Sequence, residues 1–293
     1  MKSLLHCLAA GLLLLAGPVL AAPPLQDVGQ LVVVTGDDWD SSEGHLQAFS
    51  RSGDGWKAEG EPFVVALGRN GSAWGIGLHP DPTDGPRKQE GDGRSPAGIF
   101  ALGTAFGYAA HADTALPWQP MQDTSYCMDV ADSPYYNRIV DAATVGAEAV
   151  SGSTEPMRLD LHNAGDVRYQ QGFVIAHNPR NVPGQGSCIF AHLWRTPGEA
   201  TAGCTAMDAA RMQALLGWLQ PGERPRFVLL PRAEYERLQA PWKLPPLPPG
   251  GADPRSAAGR FGPAVPRRTA EHGSSLPGGS HPAPAGHGSA DGA

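Results

Sequence analysis

The chain has 293 residues and a formal net charge of −7, with 38 glycines, 29 prolines and only 17% charged residues. A mildly acidic chain with scattered basic residues lacks the basic surface that nucleic-acid binding needs, so we expect no nucleic-acid partner. The abundance of glycine and proline disfavours a helical bundle and indicates a turn-rich, mainly β fold.

The N-terminus has the pattern of a secretory signal peptide. Lys2 precedes a short apolar run, and the small residues Ala21 and Ala22 follow it. This order of basic, apolar and small residues is typical of a segment that is removed on export. The alternative, an N-terminal membrane anchor, is disfavoured because a membrane span needs about 20 apolar residues. We therefore predict a signal peptide over 1–22, a mature protein in the periplasm or cell envelope, and no stable membrane insertion after cleavage.

The middle of the chain alternates short β-branched segments with Gly, Asp and Asn turns, which predicts a sheet-based sandwich or barrel. The predicted strands cover 31–35, 45–49, 62–67, 98–102, 172–176, 187–194 and 226–230. One clear helix is predicted between Asp208, its N-cap, and Gln220, because apolar residues recur there at helical spacing. The predicted domain spans 27–240.

The composition changes at Pro241. From there the chain consists mostly of Pro, Gly, Ala, Ser and His, with almost no bulky apolar residue. Such a segment cannot bury enough apolar surface to offset the entropy lost on ordering. We therefore predict a disordered tail over 241–293.

Cysteine usage points to one free thiol. Cys7 leaves with the signal peptide, so Cys127, Cys188 and Cys204 remain. In an oxidising compartment an odd number of cysteines leaves at least one without an intramolecular partner. A Cys127–Cys188 disulfide would leave Cys204 free, but Cys188 could equally pack in the core as a small apolar residue. The cysteine count alone does not decide between these alternatives.

His192 and Cys204 form the candidate catalytic pair. An extended strand over 187–194 would place Cys188 and His192 on one face, and the loop over 195–202 could return Cys204 to the histidine. A thiol with an ordinary pKa near 8.5 is mostly protonated at neutral pH, so a neighbouring base is needed to activate it. The alternative is a structural cysteine beside a histidine of the core.

Gly203 adds a backbone argument for this pair. A residue without a side chain permits a tight turn and a close approach of a substrate carbonyl to the backbone. The N–H groups around Gly203 and Cys204 are therefore candidates for an oxyanion hole.

These motifs resemble the signature of the L,D-transpeptidase (YkuD-like) catalytic domain. In that family a strand histidine and a variable loop precede Ser/Thr-x-Gly-Cys, and here His192 and its loop precede Thr201-Ala202-Gly203-Cys204. Residues 88–100, KQEGDGRSPAGIF, resemble the family segment K-x-E-G-D-G-x-[ST]-P-x-G-x-F. The likeness covers most of the chain between Leu31 and Leu230.

The resemblance implies a YkuD-like β-sandwich with one or two short helices and a peptidoglycan L,D-transpeptidase that needs no cofactor. Cys204 would attack a carbonyl of the stem tetrapeptide, His192 would act as base and then as acid, and the carbonyl of Leu193 would orient the imidazole. D-Ala would leave, and an amine acceptor would resolve the acyl-enzyme during cell-wall cross-linking or remodelling, which affects cell shape. The expected partners are peptidoglycan stem peptides, and carbapenem-type compounds are the expected inhibitors.

Five residues around the pair are predicted to bind substrate. They are Trp194, Arg195, Thr201, Glu90 and Arg94. The last two lie in a glycine-rich loop that could also be only a charged, solvated turn. The histidines show no His-x-x-x-His spacing and the cysteines no Cys-x-x-Cys spacing, so we predict no metal site.

Two positions depart from the commonest family pattern. Ala202 stands where many members have histidine, and Ala206 stands where many have arginine. If those side chains bind the donor peptide, then Arg195 or the loop over 88–94 takes over their role here. Two alternatives remain open: an L,D-carboxypeptidase, in which water resolves the acyl-enzyme, and a non-catalytic envelope protein that binds stem peptides or a partner.

Overall fold

The structure, a computed structural model, describes residues 24–82 and 84–247. The predicted signal peptide over 1–22 and the predicted tail from 248 onward lie outside these residues. The described chain continues past the predicted domain end, because a helix runs to Trp242 and Leu244 is buried. The boundary predicted at 241 therefore falls inside a helix.

Thirteen strands and four α-helices make up the regular structure of the described residues. The strands are β1 Gln30–Gly36, β2 Glu43–Ser52, β3 Gly55–Ala66, β4 Ser72–Trp74, β5 Ser95–Gly107, β6 Trp118–Pro120, β7 Ser125–Cys127, β8 Ile139–Asp141, β9 Glu155–Pro156, β10 Gln171–Ile175, β11 Phe190–Leu193, β12 Thr205–Met207 and β13 Arg226–Pro231. The helices are α1 Ala142–Val145, α2 Asp160–Asn163, α3 Ala209–Trp218 and α4 Arg232–Trp242, with 3₁₀ turns at Ala147–Val150 and Pro221–Glu223.

Eight of the strands close into one barrel-like sheet. Their order is β10-β11-β12-β3-β2-β1-β13-β5, and β5 pairs again with β10. Strands β4 and β6 attach to β5, while β7, β8 and β9 form a separate three-stranded sheet. The prediction of a mainly β fold is confirmed. The expectation of one or two short helices is wrong, since the described residues contain four.

The core is built around β1, which lies between antiparallel β2 and parallel β13. All seven residues of β1 are buried, as expected for a strand covered on both faces. Helix α3 covers part of the sheet with Met212, Leu215 and Leu216. Its start is confirmed, because the Asp208 carboxylate accepts a hydrogen bond of 3.0 Å from the Arg211 N–H.

Two local predictions need correction. The strand predicted over 187–194 covers only Phe190–Leu193, because Cys188 has a φ of +55°, which interrupts an extended chain. Helix α4 was not predicted, since most of its residues are polar and only Tyr235, Leu238 and Trp242 are buried. Within the described ranges, no helix has the length and apolar character to cross a membrane.

Candidate active site

The short strands β11 and β12 present two different faces. They run parallel, with His192 opposite Ala206. On one face Ala191, Leu193 and Met207 pack into the main core. On the other face, a second apolar cluster surrounds Cys204; its other buried members are Phe106, Met121, Cys127, Met157, Tyr169, Cys188 and Phe190. The alternation of side chains along β11 therefore directs His192 away from the main core and toward the Cys204 side.

Cys204 is the free cysteine of the described residues, because Cys127 and Cys188 form a disulfide. Of the two alternatives for Cys188, the disulfide is therefore the one adopted. The Cys204 sulfur accepts a hydrogen bond from the Phe190 N–H at 3.3 Å and contacts the Cys188 carbonyl oxygen at 3.5 Å. The backbone of one disulfide-bonded cysteine thus contacts the candidate nucleophile.

The backbone of Cys204 is held by one hydroxyl group from a distant segment and one from the preceding loop. Its carbonyl accepts hydrogen bonds from Ser95 Oγ at 3.0 Å and from Thr201 Oγ1 at 2.7 Å. Thr201 Oγ1 also accepts the Gly203 N–H at 3.1 Å. The Gly203 N–H, a predicted oxyanion donor, is therefore engaged by Thr201 in this structure.

The backbone around position 203 leaves no space for a side chain. Its φ is +154°, and a Cβ at this position would lie 2.9 Å from the backbone carbonyl oxygen of Arg94. Any side chain would therefore meet backbone that cannot easily move. The turn into Cys204 depends on this close approach.

His192 is buried, and its ring is held in one orientation. Nδ1 lies 2.7 Å from the carbonyl oxygen of Leu193, the contact that the sequence predicted. A proton on Nδ1 that is donated to this carbonyl leaves Nε2 as the acceptor. The Tyr169 ring lies against the imidazole, with 5.8 Å between ring centroids. His192 and Cys204 line the same cavity of about 110 Å³.

Burial disfavours charge on both members of the pair. It raises the pKa of the Cys204 thiol to about 12, and the nearby Glu155 carboxylate adds to this rise. Burial also lowers the pKa of His192 to about 4, against the opposing effect of its bond to the Leu193 carbonyl. The resting pair is therefore a neutral thiol beside a neutral imidazole.

A second cavity, of about 250 Å³, opens on another side of Cys204. Both cavities are lined by Cys204, Ala202 and Glu155. In the second cavity, Glu90 accepts hydrogen bonds from Ser187 Oγ at 2.7 Å and from the Tyr136 hydroxyl. Cys204 can therefore be approached from two directions.

The predicted substrate-binding residues fall into two groups. Trp194, Arg195 and Thr201 line the cavity that holds His192, and Glu90 lines the second cavity. Arg94 lines neither cavity, and its role as a substrate ligand is not favoured. Its guanidinium donates to the Trp39 and Ser72 carbonyls, each at 3.0 Å, and to Asp40 at 2.8 Å. Its contribution to the site is the backbone carbonyl that packs against Gly203.

Three residues of the site had no signal in the sequence. Glu155, Arg168 and Tyr169 line the His192 cavity. Burial raises the pKa of Glu155 to about 7, although Arg168 opposes the rise. The carboxyl follows a polar turn and Tyr169 precedes a predicted strand, so neither position stands out before the fold is known. Among the described residues, no group of three or more His, Cys, Asp and Glu side chains is placed to hold a metal ion.

Comparison with known proteins gives little beyond this geometry. No family model matches the chain, and no curated protein matches it. Among solved structures, the chain is similar to the helical cell shape determining protein Pgp2 from Campylobacter jejuni, with a TM-score of 0.32 and 13% identity. The match covers 70% of this chain and 48% of that protein, so it spans about half the length of Pgp2. A similarity this low carries no argument about function.

Proposed function

We propose that the chain is an exported peptidoglycan L,D-transpeptidase with the sandwich architecture of the YkuD-like domains. Cys204 is the nucleophile and His192 is its base. One observation carries the proposal: the free thiol shares a cavity with an imidazole whose Nδ1 is fixed on a backbone carbonyl. A thiol nucleophile needs a nearby base that is held in one orientation, and His192 is the histidine that lines the Cys204 cavity.

The Cys204 sulfur attacks the carbonyl between the diamino acid and the terminal D-Ala of the stem tetrapeptide as its proton moves to Nε2 of His192. The C–N bond breaks, D-Ala leaves with the proton from the imidazolium, and a thioester remains. An amine acceptor attacks the thioester carbonyl, and its proton moves to the imidazole. An amide bond forms as the C–S bond breaks, and the imidazolium returns the proton to the Cys204 sulfur.

The neutral resting pair determines when the thiolate forms. Because burial opposes both charges, proton transfer is expected to coincide with attack rather than precede it. The Phe190 N–H, 3.3 Å from the sulfur, stabilises the negative charge as it develops. The Gly203 N–H can serve as an oxyanion donor only by exchanging Thr201 Oγ1 for the substrate oxygen.

A non-catalytic protein that binds stem peptides is the second candidate function. Two observations favour it: the thiol pKa is raised to about 12, and the Gly203 N–H is already engaged. A binding protein has no need of an ionisable thiol, so reactivity at Cys204 separates the two candidates.

Intact-mass spectrometry of the protein mixed with a carbapenem tests the proposal. The expected result is one covalent adduct, absent from Cys204→Ala and formed about 10²- to 10⁴-fold more slowly by His192→Ala. His45→Ala, on strand β2 outside both cavities, is the control for loss of an imidazole. A folded protein with an intact Cys127–Cys188 disulfide and a free Cys204 thiol that forms no adduct would favour the binding protein. Incubation of an active enzyme with a stem tetrapeptide, with and without an amine acceptor, then separates transfer from hydrolysis to the tripeptide.

A further inference from the structure

A third concavity, away from Cys204, has the character of a ligand site. It is an open groove of about 510 Å³ between the end of β5, strand β6, helix α2, the start of β10 and helix α3. We call it the Trp118 groove. It is lined by Tyr108, Trp118, Gln170, Gln171, Gln213 and Leu216, among others.

The groove combines an aromatic surface with free amide groups. The Trp118 indole N–H donates to the Ala109 carbonyl at 3.1 Å, so the indole is held in place while its ring remains partly exposed. Within the described part of the chain, the side-chain amides of Gln170, Gln171 and Gln213 have no hydrogen-bond partner. Each amide can both donate and accept, which suits a ligand that carries hydroxyl and amide groups.

The charge of the groove argues for a neutral ligand. Its lining contains no lysine or arginine, Asp113 is its one carboxylate, and the imidazoles of His111 and His162 also line it. A phosphate or carboxylate ligand would lack a fixed countercharge there. A sugar fits better, because its C–H face packs on an aromatic ring while its hydroxyls bond to amides.

The groove adjoins the candidate active site along the chain. Arg168 and Tyr169 line the His192 cavity, whereas Gln170 and Gln171 line the Trp118 groove. Residues 168–170 form a turn, so the two linings meet where Tyr169 is followed by Gln170. We expect a single molecule with a peptide part and a sugar part to reach both sites.

We infer that the Trp118 groove binds the N-acetylated glycan strand whose stem peptide enters the Cys204 site. The inference rests on the proposed function for the identity of the glycan. Trp118 supplies the aromatic surface for a sugar ring, and Tyr108 lines the groove with its ring against His162. The glutamine amides bond to its hydroxyl and N-acetyl groups. The enzyme would thus recognise stem peptides that are attached to a glycan strand.

Isothermal titration calorimetry with the β-1,4-linked tetramer of N-acetylglucosamine tests the inference. We expect saturable binding to the full chain that Trp118→Ala weakens by about tenfold or more. Gln171→Ala and Gln213→Ala should each weaken binding about three- to tenfold through loss of one hydrogen bond. Gln213 is exposed on α3, so its variant keeps the fold even if the tryptophan variant does not. Gln220→Ala, exposed outside the groove, is the matched control.

Three results would overturn the inference. The first is the absence of tetramer binding, and the second is binding of equal strength in all variants. The third is binding of a sugar-free stem peptide that Trp118→Ala abolishes, which would make the groove a peptide site. Carbapenem acylation of Cys204 should be unchanged in Gln213→Ala. Acylation without tetramer binding would refute only glycan binding in the Trp118 groove. Tetramer binding without acylation would refute only the proposed transpeptidase activity.

Discussion

The core around β1 and the site around β11 and β12 are built in different ways. In the core, β1 is seven residues long, is hydrogen-bonded on both sides and is buried throughout. In the site, β11 and β12 are four and three residues long. There the position of Cys204 is set by single contacts, namely the Ser95 and Thr201 hydroxyls and the close approach of Gly203 to Arg94. A core of this kind tolerates many apolar residues, whereas the site depends on individual ones.

The two regions also differ in the kind of side chain that they bury. The core contains almost only apolar side chains, whose burial stabilises the fold. The site buries Cys204, His192 and Glu155 in places where burial opposes their charged forms. Stability should therefore come mainly from the core and reactivity from the site, and substitutions should separate the two properties.

The largest loss of stability should follow from a substitution in the core. Phe227 on β13 is fully buried, and Phe227→Ala should lower the free energy of unfolding by about 3–5 kcal/mol through the cavity it leaves. Urea unfolding measures this loss. The rate of Cys204 acylation per folded molecule should stay unchanged. A slower rate in fully folded protein would mean that core and site are coupled more closely than we infer.

Removal of the disulfide should affect stability and reactivity together. The Cys127→Ser, Cys188→Ser double variant should lose about 2–4 kcal/mol of stability. Because the Cys188 carbonyl contacts the Cys204 sulfur, the freed segment should also expose the thiol. We expect faster alkylation by iodoacetamide and slower acylation by a carbapenem, both followed by intact mass. As a control, mild reduction of the wild-type protein should change both rates in the same way. Unchanged rates of alkylation and acylation would show that the disulfide does not position Cys204.

Glu155→Gln should change the free energy of unfolding by a smaller amount, on the order of 1 kcal/mol, and this change should depend on pH. The folded-state pKa of Glu155 is raised to about 7, so between about pH 4.5 and 7 the folded protein binds more protons than the unfolded chain. Wild-type stability should therefore fall as pH rises through this window, and the variant should lack that part of the slope. Thermal unfolding across the window measures it.

Glu155→Gln should also lower the pKa of the Cys204 thiol. The Glu155 carboxylate raises the pKa of Cys204, so Glu155→Gln should shift the pH profile of alkylation to lower pH. Glu148→Gln, exposed on a 3₁₀ turn, is the matched control and should leave both profiles unchanged. An unshifted thiol profile in Glu155→Gln would mean that the carboxylate does not act on Cys204.

The strands of the core could be predicted from the sequence because their signals are local. Alternating and β-branched runs predicted β1, β2 and β13, and Asp208 predicted the start of α3. The closure of the sheet was not readable, since it depends on the pairing of β5 with β10, about 70 residues apart along the chain.

Only part of the site could be predicted, because a sequence pattern connects only residues that are close along the chain. His192, Gly203 and Cys204 lie within one window of the sequence, so a local pattern could identify them. Glu155 reaches the site from a separate small sheet, so no local pattern connects it to Cys204. For Arg94, a charged loop residue, substrate binding stays a prediction, and its guanidinium donates to the Trp39 carbonyl.

The smallest effect should follow from Arg195→Ala, and it tests whether one site residue has the role expected from the sequence. Arg195 is exposed and forms an ion pair with Glu199, so its loss should change stability by no more than about 0.5 kcal/mol. Because Glu199 already neutralises the guanidinium, we expect carbapenem acylation to change by less than about threefold. Glu199→Gln is the partner control, since it leaves the cation without its carboxylate. A tenfold loss of acylation in Arg195→Ala at unchanged stability would instead identify Arg195 as the cation that replaces the arginine absent at Ala206.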